Sequence, residues 1–152
     1  MRRKDKEITN PSELEVILKK AKICRLGLLD VNVPYIVPVH YGYNNKNLYI
    51  HAAKEGKKID LIKEKPKVCF EVELDHKIRN TGIPCNWSTS YKNIIGYGTA
   101  SILTNTEEKK KALKILINHY APETVYDFSI KMVDSVAIIK ISIDKMTGKQ
   151  SS

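Results

Sequence analysis

Cysteine is scarce. The three residues, Cys24, Cys69 and Cys85, lie far apart and form no Cys-x-x-Cys pair. An odd, scattered set argues against a disulfide framework and a cysteine-rich zinc site, and free thiols fit a reducing cytoplasm. No apolar run approaches the ~20 residues of a membrane-crossing helix. The opening Met-Arg-Arg-Lys-Asp-Lys-Glu is not followed by the apolar stretch of a signal peptide. The expectation is a cytoplasmic protein with no membrane partner. Also missing are a glycine-rich phosphate loop, a paired-carboxylate signature, a Ser-His-Asp signature, internal repeats and low-complexity segments.

What is present suits one domain spanning residues 1–152. A chain of this size hides roughly 68–70% of its unfolded surface, and an apolar content of 42% excludes a disordered chain. The net charge of +9 attracts anions in general. Basic residues are spread out, with only short runs at Arg2-Arg3-Lys4, Lys57-Lys58 and Lys109-Lys110-Lys111, so most read as solvated faces. A nucleic-acid surface would need exposed aromatics interleaved with these charges. The tyrosines fall mostly on a core face, so no nucleic-acid partner is expected.

The stretch Tyr35 to Lys58 organises the chain. Tyr35–Tyr43 and Leu48–Ala52 are rich in β-branched and aromatic residues, and Asn44-Asn45-Lys46-Asn47 separates them. This is a hairpin signal, because Asn tolerates the left-handed backbone of tight turns. The turn length places Tyr43 opposite Leu48, Tyr41 opposite Ile50 and His40 opposite His51. Alternation then gives two faces. Tyr35, Val37, Val39, Tyr41, Tyr43, Leu48, Ile50 and Ala52 share a core face. Ile36, Pro38, His40, Gly42, Tyr49, His51 and Ala53 share a face of flat, small and hydrogen-bonding groups, suited to a planar ligand. Lys54 to Lys58 follow, beside a short helical pattern over Ile59–Lys65, and a helix N-terminus favours an anion such as phosphate.

Elsewhere, residues 1–9 read as a flexible charged arm. Asn10-Pro11-Ser12-Glu13 reads as a helix start with a capping box, and Ile23–Leu29 and Lys67–Leu74 read as strands. Residues 75–84 read as a loop. Cys85–Ser90 is a candidate strand start, and Asn93–Leu103 is a strand whose Gly96 and Gly98 mark a bulge or a close approach. Leu113, Leu116, Ile117 and Tyr120 stripe a helix that ends before Pro122, and a short helix is expected within Val125–Met132. Ser135–Ile143 is a final strand, and the polar tail, residues 145–152, reads as flexible. Six or so strands with interposed helices imply an antiparallel barrel, mostly β, with helices packed outside.

Three groups could carry chemistry. His40 and His51 suit half a metal site, a hydrogen-bonding ligand wall, or histidines satisfied within the sheet. Zinc wants three or four protein ligands and no third is placed, so no metal is expected. Lys54, Lys57 and Lys58 are a basic cluster beside the histidine face, with Lys57 and Lys58 as a phosphate grip, or simply exposed. Cys85-Asn86-Trp87-Ser88-Thr89-Ser90-Tyr91 holds the single tryptophan among hydroxyls, as a ligand wall, core or interface. No Cys-His motif accompanies Cys85.

An ordered set of short motifs resembles the 5-nitroimidazole-resistance branch of the pyridoxamine 5'-phosphate oxidase-like flavoproteins. It runs through Arg2-Arg3-Lys4-Asp5, Cys24-Arg25-Leu26, Pro34–Val39, Tyr49–Lys58, Val68–Val72, Cys85-x-Trp87, Tyr91, Ile95–Gly98 and Thr147-Gly148-Lys149. The resemblance implies a six- to seven-stranded antiparallel split β-barrel that binds FMN and forms a homodimer with flavins at the interface. It further implies that Pro38, Val39, His40 and Tyr41 line the ring and that His51 lies close to it. Lys57 and Lys58 would hold the phosphate, and Cys85, Trp87, Ser88 and Tyr91 would approach from the other side, from the partner subunit. The implied activity is an oxidoreductase acting on a small acceptor such as a nitroaromatic, with a reduced nicotinamide as candidate donor. His40 and His51 are the catalytic candidates. The alternative is a flavin- or haem-binding module without turnover. Lysines stand where pyridoxamine 5'-phosphate oxidase itself uses arginines, so vitamin B6 oxidation is not implied.

Overall fold

Asn45 and Lys46 set the register of the central hairpin. In the computed structural model, which describes residues 3–151, their φ angles are 46° and 60°. A two-residue hairpin turn uses this left-handed pair because it matches the twist of the strands. Tyr43 stands opposite Leu48, as the turn signal implies. Met1, Arg2 and Ser152, parts of the expected arm and tail, lie outside the described residues.

The chain is mostly β with flanking helices. The strands are β1 (Glu7–Ile8), β2 (Cys24–Asp30), β3 (Val33–Val39), β4 (Gly42–Asn44), β5 (Asn47–Ala52), β6 (Lys67–Arg79), β7 (Ser88–Ile102) and β8 (Ala137–Ser151). The helices are α1 (Pro11–Lys20), α2 (Lys57–Glu64), α3 (Thr106–Tyr120) and α4 (Ile130–Asp134). The antiparallel sheet runs β3-β2-β6-β7-β8-β5-β4, and β1 adds to β8. Seven strands thus form the continuous path of a split barrel, with the two-residue β1 beyond the expected number.

The split lies at His40–Tyr41. The strand expected to run unbroken from Tyr35 to Tyr43 is interrupted there. Its first part pairs with β2 and its last with β5. The expected pairs Tyr41–Ile50 and His40–His51 do not form; Ile50 faces Ile139 and His51 faces Ile138 of β8. Pro34 and Pro38 suit β3 to the sheet edge, since neither can donate to a further strand. The expected core face is otherwise as read: Val39, Tyr41, Tyr43, Leu48, Ile50 and Ala52 are buried, while Ile36, Pro38, His40 and His51 are exposed.

Local signals explain the helix starts. The Asn10 side chain accepts from the Ser12 N–H at 2.9 Å, and Asn105 accepts from Glu107 and Glu108 at the start of α3. Glu13 departs from the capping-box expectation: its carboxylate takes the Lys92 ammonium of β7 at 2.8 Å.

Two segments differ from the expectation more broadly. The tail, expected flexible, is strand through Ser151, with β7 on one side and β1 on the other. Gly148 allows this closeness, since a Cβ there would meet a Leu14 methyl at 2.3 Å. Within residues 1–9, Glu7 and Ile8 pair with Lys149 and Gly148. Of residues 75–84, expected as a loop, the first five extend β6 past an irregularity after Leu74, so that Lys77, Ile78 and Arg79 pair with Ser90, Thr89 and Ser88, and the rest is non-strand. The result is an exposed two-stranded arm. Gly96 gives way to the Phe70 ring, which a Cβ would meet at 2.2 Å, and Gly98 sits at a register shift between β7 and β8.

Candidate functional site

The outward face of the hairpin is only partly open. α3 lies across β4 and β5. Gly42 is buried under it, because a Cβ there would approach the Ile115 backbone at 2.9 Å. Tyr49 packs with Ala112, Leu116 and Ile138. These two residues of the expected ligand face are therefore covered by the chain's own helix.

Where α3 ends, the face opens into a cavity of about 360 Å³ lined by His40, His51, Leu113, Leu116, Ile117, Tyr120, Ala121 and Phe128. The two histidines thus share one chamber although they are not ladder partners. His40 comes from the split between β3 and β4, and His51 from β5. The Tyr120 ring meets the His40 imidazole edge-on, with centroids 5.2 Å apart and planes at 77°. The remaining walls are mostly apolar, so the open chamber presents two exposed imidazoles beside an apolar surface. The helix side of this wall was readable only as an apolar stripe, which by itself signals packing.

Beyond the last residue of β5, Ala52, the chain turns at Gly56 into α2. Gly56 has φ 119°, open to glycine and strained for other residues, and no side chain caps the helix. Its first N–H groups therefore point out unpartnered by a cap. Lys57 is exposed and engaged: its ammonium meets the Asp30 carboxylate at 2.6 Å and lies 4.9 Å from the Tyr35 ring centroid. The hydrogen bond to Asp30 raises its pKa. Lys58 differs. It is half-buried, burial lowers its pKa, and no carboxylate contributes to that balance. A positive charge held at the cost of partial desolvation beside a helix N-terminus is suited to an anion. Asp60 already occupies the same first turn.

The other sequence-derived candidates separate. Pro38 is exposed on the open side of β3, next to Ile36. Val39 is buried, and Tyr41 is fully buried, its hydroxyl donating to the Leu18 carbonyl at 2.7 Å. Cys85, Trp87 and Ser88 lie at the exposed tip of the β6–β7 arm, and none of them lines the histidine cavity. Tyr91 is half-buried lower on the arm, with the Lys149 ammonium 5.7 Å from its ring centroid. The thiols are unpaired: burial pushes Cys24 up to about 12, Cys69 is half-buried and Cys85 is exposed. Among the described residues no three His, Cys, Asp or Glu side chains gather to hold a metal, and no helix is long and apolar enough to cross a membrane.

A second surface feature was not foreseen. The outer face of β3-β2-β6-β7 exposes Ile36, Leu29, Ile95 and Tyr97. It carries hollows of about 340 and 470 Å³ that share Gly27, Ile36 and Cys69. The Arg25–Glu71 ion pair, at 2.8 Å, borders this patch.

Residues 10–150 match the family described as pyridoxamine 5'-phosphate oxidase. A solved structure from Bacteroides thetaiotaomicron VPI-5482, named as a candidate 5-nitroimidazole antibiotic resistance protein, is 32% identical. It superposes with a TM-score of 0.85 over 95% of this chain and 86% of that one. A flavocytochrome from Azotobacter vinelandii reaches 0.86 at 17% identity, over 100% of this chain and 72% of that one. An FAD and haem binding protein from Mycobacterium smegmatis also reaches 0.86 at 17% identity, over 97% and 74%. Identities this low show a shared fold alone. Among curated proteins, none matches.

Proposed function

Because the chain belongs to the pyridoxamine 5'-phosphate oxidase family, we propose that it binds FMN and acts as an oxidoreductase on a small acceptor such as a nitroaromatic compound. The observation that carries this reading is the pairing of two sites along β5. One is an apolar chamber with two imidazoles; the other is the N-terminus of α2 with the half-buried, carboxylate-free Lys58. A flat ring would suit the first and a phosphate the second. Bound FMN would supply the electron-transfer chemistry, and the chain supplies grip and orientation.

Each residue then has a role. Lys58 and the first N–H groups of α2 hold the phosphate, with Lys57 contributing where it releases Asp30. Pro38 and Ile36 offer flat apolar contact along β3. Leu113, Leu116 and Ile117 offer the ring an apolar wall. His40 and His51 are the candidates to hold or pass a proton at the ring. A second copy would cover the exposed apolar sheet face, and its arm would bring Cys85, Trp87, Ser88 and Tyr91 to the flavin. The exposure of Ile36, Tyr97 and Trp87 supports that arrangement. Unpaired thiols favour a reducing, cytoplasmic setting.

The test is steady oxidation of a reduced nicotinamide by FMN-loaded protein with a nitroaromatic acceptor present. Turnover above that of free FMN supports the enzyme; flavin binding without turnover leaves a binding module. One observation favours a second reading. Two imidazoles in an apolar chamber also suit haem, and two fold relatives carry haem or cytochrome in their names. A sharp haem absorbance band on adding haemin, lost in His40→Ala or His51→Ala, would favour that reading.

A further inference from the structure

Tyr120 ends α3 beside the split. Its hydroxyl accepts the Tyr41 N–H at 3.0 Å and donates to the Lys22 carbonyl at 2.7 Å. Strand pairing gives that N–H no partner. The β2–β3 ladder ends at Val39, and the β4–β5 ladder begins at Gly42. A buried backbone N–H must find an acceptor, and here a side chain supplies it. Two more bonds tie the same helix end to the same linker: His119 Nε2 lies 2.7 Å from the Ala21 carbonyl, and the Lys22 ammonium donates to the His119 carbonyl at 2.8 Å. The Tyr120 ring then reaches the imidazole of His40, the residue that directly precedes Tyr41.

We propose that Tyr120 is a positioning residue: its hydroxyl fixes the backbone at the split, and its ring, packed at 77° to the His40 imidazole, holds that imidazole in one orientation toward the cavity. Its hydroxyl acts through the backbone and His40, because it already donates to one backbone group and accepts from another, while its ring shares the cavity wall with His40. Burial raises the pKa of the phenol, so it stays protonated across the neutral range. The importance of that orientation rests on the cavity being the cofactor's ring site, as read above.

The test separates the hydroxyl from the ring. Tyr120→Phe removes the first and Tyr120→Leu removes both, and each is examined by NMR without cofactor, by FMN titration and by thermal melting. The native protein should show one His40 rotamer, cross-peaks between His40 and Tyr120, and a slowly exchanging Tyr41 amide. In Tyr120→Phe the Tyr41 amide should exchange at least about tenfold faster, His40 should average between rotamers, and FMN affinity should fall about tenfold, while melting stays cooperative. Tyr120→Leu should lose the His40 contact altogether. A single, unchanged His40 rotamer in Tyr120→Phe overturns the proposal. So does unchanged FMN affinity in a variant whose His40 has become mobile. Native protein that takes up no FMN while His40 behaves as expected counts against the flavin reading and leaves the positioning role supported.

Discussion

Lys58 and Lys57 are neighbours with opposite circumstances, and the difference is measurable. Lys57 is exposed and tied to Asp30, whereas Lys58 is half-buried with burial alone acting on its pKa. A charge-assisted bond to a phosphate contributes about 1.5–3 kcal/mol, so Lys58→Ala should weaken FMN binding by at least about tenfold. Lys57→Ala should cost less, and equal losses in a fluorescence titration would contradict the distinction. His119 offers a pH prediction. Burial, ahead of the bond to the Ala21 carbonyl, holds its pKa below the ordinary 6.5. Charging it is therefore harder in the fold than in the unfolded chain. Stability should be complete above 6.5 and decline as pH falls through 6.5 toward the lower folded value. Melting temperatures across that range should slope less in His119→Gln; parallel slopes would remove His119 as the cause. At this scale strand alternation put His40 and His51 on one face, and both line one cavity, although the facing pair it implied does not form. Asp30 and Tyr120 stayed hidden as partners, because long-range contacts leave no local pattern.

The elements show where periodicity informs and where it does not. The hairpin turn, the cap at Asn10 and the alternating core of β5 were legible because each rests on nearest-neighbour chemistry. The end of β8 was not, because Lys145 to Gln150 is too polar to signal burial; neighbouring strands on both sides hold it. The arm was hidden for the same reason, with an irregularity after Leu74 masking the continued pairing. The covering of the hairpin face by α3 follows from Gly42, whose missing side chain makes room for the helix backbone. Gly42→Ala should lower stability by about 1–3 kcal/mol through overpacking and shift α3 away from the cavity. Denaturant unfolding reads the first effect, and weaker ligand uptake the second. A variant as stable as the native protein would show that α3 is not seated there as described.

For the molecule as a whole, a barrel was readable from the residues, while the split and the second copy entered only through the family resemblance. Alternation and short connections imply a β-barrel with outer helices, but which outer faces stay bare depends on where α2 and α3 come to rest. The bare face is the sheet surface around Ile36 and Tyr97. Mass measurement in solution should find a dimer, and Ile36→Glu with Tyr97→Glu should yield monomer; a native monomer would remove the second copy from the account. The central claim is that this fold holds a flavin between the imidazole chamber and the start of α2. Gel filtration of the purified protein after incubation with FMN tests it most directly. Flavin absorbance should co-elute with the protein at close to one FMN per chain and diminish in Lys58→Ala. Protein that elutes without flavin absorbance, from the native chain and at saturating FMN, would contradict it.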